Sequence, residues 1–139
     1  MSDQHRYLGE KEILAVPMLR GEYNQYRGWD NPDDENPADE GYLVEYLDSP
    51  NSVHPNHDNY ISWSPKDVFE RAYRPAGTAK ERVEIELEQL VLKVVALQGF
   101  LGANERPDGF HPAQENLLRA QLGCMVEYGQ ILEARLELM

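Results

Sequence analysis

One cysteine, Cys124, stands in 139 residues, which excludes an intrachain disulfide and any cysteine-rich metal site. No stretch approaches the ~20 consecutive apolar residues of a membrane-spanning helix, and the polar opening MSDQHRYLGEKE lacks the apolar core of a signal peptide. A soluble protein of a reducing cytoplasm is expected. Basic charge is scarce: 13 Lys and Arg face 25 Asp and Glu, a formal charge of −12. A field of that sign repels polyphosphates and so excludes general DNA, RNA or anionic-membrane binding, while leaving room for a small phosphate ligand in a local basic pocket. Also absent are a G-x-S-x-G elbow, a phosphate-binding glycine loop and an H-E-x-x-H zinc motif. No catalytic residue, cofactor or metal is therefore expected, and the protein reads as a non-enzyme.

The dominant feature present is a long helical pattern from Thr78 to Leu101. Val83, Leu87, Leu90, Val94, Leu97 and Leu101 recur at alternating steps of four and three, a heptad-like seam. Thr78 and Glu81 have capping-box spacing and place the helix start. Ile85, Leu92 and Val95 form a second stripe off the seam, so this helix asks for two partners. Pro112 marks the next helix, where Leu118, Leu122, Met125, Leu132, Leu136 and Met139 keep the same spacing and Gly129 takes the vacant seam position. An antiparallel helical hairpin follows, with close backbone approach expected at Gly129.

The first half has a different texture. Glu12–Leu19 has strand composition, with Pro17 confining it to an edge or bulge; GEYNQYRGW reads as a short helix closed by Gly28. Gly41–Leu47 alternates as a strand, with Asn59–Trp63 its antiparallel partner and a long connection between them of the kind that is mobile or functional. Ser64-Pro65 reads as N-cap and first residue of a short helix through Tyr73, and Arg74-Pro75-Ala76-Gly77 as a hinge.

Between Arg27 and Lys66 lie nine Asp or Glu and no Lys or Arg. DNPDDENPADE has prolines where a calcium loop needs its glycine turn, so a solvated loop is the plainer reading; DNA mimicry is weaker still, because the charge is gathered in one loop. His54, His57 and Asp58 could contribute metal ligands, but no distant third ligand is evident and a surface loop is expected. His111 reads as a helix-start residue. Cys124, beside the Leu122/Met125 seam and without a cationic neighbour, reads as a buried or half-buried small apolar residue. Nine aromatics between Tyr23 and Tyr73 mostly pack a small sheet, though Tyr and Trp also serve as stacking platforms for bases. Among the cations, Lys93 is unusual because it lies between Leu92 and Val94. It either snorkels past an interface or offers a point charge to a concave site.

Residues 81–101 (ERVEIELEQLVLKVVALQGFL) and 117–136 (LLRAQLGCMVEYGQILEARL) together resemble the phage anti-CBASS 2 family of cyclic-oligonucleotide sponges. The resemblance is carried by ERV, by ELEQL leading into LK-V-V-x-L-x-x-F-L, and by the Gln, Met, Tyr and Arg positions of the second helix. It implies a homo-oligomer that holds cyclic nucleotide signals between protomers without cleaving them. Lys93 stands where that family has a phosphate-contacting lysine. The family's base-stacking tyrosine precedes the first helix; here PAGTAKE has no aromatic, and Tyr73 is the nearest candidate. Ala96 replaces a further lysine of the relatives. The preceding half, through YISWSPKDVFERAYRP, resembles modules of uncharacterised phage accessory proteins.

The resulting expectation is an α+β protein: a small antiparallel-sheet module with short helices over 1–76, then a long antiparallel helical hairpin over 77–139. The expected function is phage immune evasion in the host cytoplasm. Its ligand is a cyclic di- or trinucleotide or a cyclic ADP-ribose-type molecule, bound through Lys93, Arg82, Tyr73 and Arg74. The alternative is an oligomeric interaction module that inhibits a host protein.

Overall fold

A computed structural model describes residues 3–139. The fold is α+β, in two compact units, Met1–Tyr73 and Arg74–Met139. In the first unit, β1 (Ile13–Pro17), β2 (Gly41–Tyr46) and β3 (Ile61–Pro65) form one antiparallel sheet in the order β1-β2-β3. Helices α1 (Arg20–Arg27) and α2 (Lys66–Ala72) complete the unit. Pro17 sits at the end of an edge strand, where its missing N–H costs no ladder bond. Gly28 closes α1 with φ 76°, a conformation that disfavours a β-carbon.

The core of this unit joins Tyr23 of α1 to Leu43 and Ile61 of the sheet, with Met18, Tyr26 and Trp63 packed around them. Both faces of β2 are covered, since Leu43 and Val44 are buried although adjacent residues point oppositely. On the Val44 face, Tyr42 stacks on Phe69 of α2 at 4.0 Å and donates its hydroxyl hydrogen to Glu70 at 2.8 Å. Gly41 is held close to its neighbour, since a β-carbon there would run into the Trp63 ring and the Ser64 carbonyl.

The acidic loop is solvated as expected, every residue from Asn31 to Glu40 except Glu35 being exposed, but both it and the long 47–60 connection are tied to the sheet unit by side-chain bonds. Arg20 grips Glu35 with two donors, Nε at 2.7 Å and Nη2 at 2.8 Å, and buried Asn24 donates to the same carboxylate at 3.1 Å. Those contacts, the arginine's first, hold the Glu35 carboxyl below its ordinary value. The 47–60 loop is anchored by its histidines. His57 bridges two partners, its Nδ1 2.6 Å from the Glu45 carboxylate and its Nε2 2.7 Å from the Tyr26 hydroxyl. His54 stacks on Tyr26 at 4.1 Å. Bonds from His57 first and Asn59 second depress the Glu45 carboxyl.

Ser64 does not cap α2. It is still paired with Tyr42 in the sheet, and Pro65 occupies the cap position without a side-chain hydrogen bond. The strand outlasts the residue expected to end it.

The second unit is a helical hairpin of α3 (Ala79–Gly102) and α4 (Pro112–Glu137). Thr78 Oγ1 accepts from Glu81 N–H at 3.1 Å while the Glu81 carboxylate accepts from Thr78 N–H at 3.0 Å, a complete capping box. His111 caps α4, its Nδ1 accepting from Ala113 N–H at 3.0 Å. Val83, Leu90 and Leu132 form the buried centre, joined by Leu87, Val94, Met125 and Leu136. Gly129 faces Leu90, but an added β-carbon would meet Leu90 Cδ2 at 3.7 Å, an ordinary contact. The close backbone approach expected there is absent. Cys124 is exposed rather than buried. At 100° per residue it lies about 200° round the helix from Leu122, and so turns away from the seam.

Candidate ligand-binding site

The hairpin has three distinguishable sides, set by helical periodicity. The seam closes α3 on α4. A second side is apolar and open: Leu92 is 66% exposed, with Val91 and Val95 beside it. Separately, Leu117, Cys124 and Ile131 on α4 and Leu138 at its C-cap recur every seven residues and are all exposed, with Tyr128 next to them. Of the second stripe read on α3, Leu92 and Val95 are exposed and Ile85 is half-buried; the exposed stripe on α4 is a separate one that pattern reading missed. Its signal was the exact seven-residue period, masked because polar Gln121 and Arg135 fall on the same line.

The third side carries Lys93. Arg82 and Lys93 are eleven residues apart, which is three turns, so they share this side roughly 16 Å apart along the axis. Gln89 and Ala96 lie between and beside them, and Phe100 follows one heptad after Lys93. Lys93 is exposed and makes no hydrogen bond or ion pair with the described residues. Arg82 is exposed, with its guanidinium Nη1 donating to Ala76 O at 3.1 Å and its other guanidinium donors available among the described residues. Arg74 is occupied elsewhere, with Nη2 3.3 Å from Glu88. Glu88 sits about 140° round the helix from Lys93, so Arg74 attends a different side of α3. Tyr73 belongs to the first unit and tilts against Phe69 with ring centres 5.0 Å apart. Lys93 and Arg82 are thus the pair that α3 itself presents together, as cations able to contact phosphate oxygens.

The turn between the helices is built on Arg106. Its Nη1 donates to Ala103 O at 2.8 Å and Phe100 O at 3.1 Å, its Nη2 to Leu101 O at 3.4 Å, and its Nε to Glu115. One guanidinium thereby bonds carbonyls at the end of α3 and at its C-cap, Phe100 O being shared with the Ala103 N–H, and ties them to the first turn of α4. Its hydrogen bond is the main reason the Glu115 carboxyl lies below its ordinary value.

Among the described residues no group of three or more His, Cys, Asp or Glu is arranged to hold a metal ion, and no helix is long and apolar enough to cross a membrane. Residues 77–138, the hairpin with its Thr78 cap, match the model of a protein family described as Sequestin. No curated protein and no solved structure matches the chain at a significant level.

Proposed function

We propose that this chain is a phage-encoded immune-evasion protein that sequesters a cyclic nucleotide or related nucleotide second messenger without cleaving it. The observation that carries this reading is the Sequestin match over the hairpin, a family whose name denotes holding a ligand. The arrangement of α3 supports it. An apolar side suits a second protomer, and the neighbouring side offers Lys93 and Arg82 to phosphates. Two protomers brought together along the open apolar stripe would double the available cations and enclose a small anion that one exposed helix cannot hold. A net charge of −12 is compatible, because a compact dinucleotide meets the local field of a few cations while a long polyanion meets the whole.

Incubation with a panel of cyclic di- and trinucleotides and cyclic ADP-ribose isomers, followed by removal of free ligand and denaturation, tests the proposal. Intact ligand released from the protein supports sequestration. Hydrolysed ligand makes the protein an enzyme, and retention of none overturns the reading. The exposed stripe of Leu117, Ile131 and Leu138 also favours a second reading, a module that binds and inhibits a host protein. Ligand retention with no host protein captured separates the two.

A further inference from the structure

The sheet has one open apolar edge. Within β1, Leu14 through Pro17 are exposed and Ile13 is half-buried. Met18 N–H donates to Gly41 O at 2.9 Å, which fixes the phase of the ladder. Met18, Val16 and Leu14 turn their backbone groups toward β2, so Ile13 and Ala15 turn theirs outward. No described residue pairs with those outward groups. Sheet edges in soluble proteins are usually blunted by charges, bulges, prolines or covering elements. Here ILAVP carries no charge, and Pro17 removes a donor only at the last position. Leu14 and Val16, 57% and 48% exposed, project from the same side of the strand. The opposite edge differs: β3 (ISWSP) contains two serines and runs directly into α2.

We propose that this edge is a self-association surface on which β1 of one copy pairs antiparallel with β1 of a second about a twofold axis, making a continuous six-stranded sheet. Hydrogen bonding selects the register. With Ile13 opposite Ala15 of the second copy, every outward N–H of these two residues meets an outward C=O. A register centred on Ala15 instead sets Ile13 against Pro17, which has no N–H to return. In the selected register Leu14 meets Leu14 of the second copy at a non-hydrogen-bonded site, where side chains approach most closely.

The strand's own chemistry favours a second copy over a foreign extended peptide. Its donors and acceptors complement themselves under a twofold, and each exposed leucine receives a leucine. The three central pairs are uncharged and Glu12 of each copy falls opposite Val16 of the other, so two chains of charge −12 meet where no like charges face each other. Their remaining long-range repulsion is screened by salt. Association therefore strengthens with ionic strength, whereas capture of a basic peptide would weaken.

The test uses the full chain with Cys124→Ser as background and a mild oxidant. Leu14→Cys places two thiols on the twofold, within disulfide reach. Val16→Cys leaves them roughly 13 Å apart, four strand residues along the pair. The expected result is covalent dimer formed by Leu14→Cys at least about tenfold faster than by Val16→Cys. The Ile13 and Ala15 amides should also gain protection from hydrogen exchange as protein concentration rises. Leu14→Lys, at a side chain already exposed, should remove that protection while leaving β2 and β3 amides protected. Equal crosslinking of the two cysteine variants, or Ile13 and Ala15 amides that exchange freely at every concentration, overturns the proposal. Association through the helical hairpin alone gives those overturning results, so this test is independent of the proposed ligand site.

Discussion

At the scale of single residues, the informative positions are those whose neighbours differ from what their sequence context implies. Gly129 is one. It holds a seam position, yet the space beside it accommodates a methyl group 3.7 Å from Leu90 Cδ2. Gly129→Ala should therefore stabilise the hairpin by about 0.5–1 kcal/mol through helix propensity and reduced freedom of the unfolded chain. Urea denaturation should show a higher midpoint at unchanged slope; a lower midpoint would mean that the helices need the glycine after all. Glu45 is another. His57 and Asn59 hold its carboxyl below the ordinary 4.5, and Glu35 and Glu115 are lowered likewise by Arg20 and Arg106. A depressed carboxyl contributes stability that is fully present above its unfolded value and is lost as pH falls through its folded one. Stability should thus decline as pH drops from about 5 toward 3. Glu45→Gln should flatten part of that decline. An identical pH profile for the variant would remove the Glu45–His57 contact from the account.

At the scale of elements, the ends of the helices were largely visible in the sequence and the loops were not. Thr78/Glu81 and His111-Pro112 are local signals, each read from residues within one turn, and each forms its expected cap. The histidine loop has no such local signal. Its anchors, Tyr26 and Glu45, lie 31 and 12 residues from His57, a separation that no spacing rule covers. Arg106 is similar, because NERPDG reads as a turn without revealing that its arginine returns to two α3 carbonyls and that of the C-cap Ala103. Arg106→Ala should cost the hairpin about 1–2 kcal/mol from the lost carbonyl bonds. Arg106→Lys should recover little, since an ammonium cannot reproduce the planar fork. Faster amide exchange confined to the ends of α3 and α4 would be the expected signature. Full rescue by lysine would contradict the multidentate role.

At the scale of the whole molecule, two compact units carry two different open surfaces, the apolar stripe of the hairpin and the edge of β1. The proposed sequestration would rest on the first. Lys93→Ala should abolish retention of a bound messenger while leaving the oligomeric mass unchanged, because Lys93 is exposed and off the seam. Equilibrium dialysis paired with light scattering reads both quantities. Retention equal to wild type would remove Lys93 from the site, and a changed mass would make it an interface residue instead.

What the sequence determined by itself is what short-range physics encodes. The seam of α3 and α4, the caps, Gly28, the edge position of Pro17 and the α+β class all follow from periodicity and from backbone preferences over a few residues. The tertiary structure decided everything that depends on distant partners. It paired Glu35 with Arg20, drew the histidine loop onto Tyr26 and Glu45, kept Ser64 in the sheet and turned Cys124 outward. It also separated the candidate cations, joining Arg74 to Glu88 while leaving Lys93 with Arg82. A helical pattern specifies the side on which a residue lies; which sides find a partner within the chain, and which stay open for another molecule, is settled only when the elements pack.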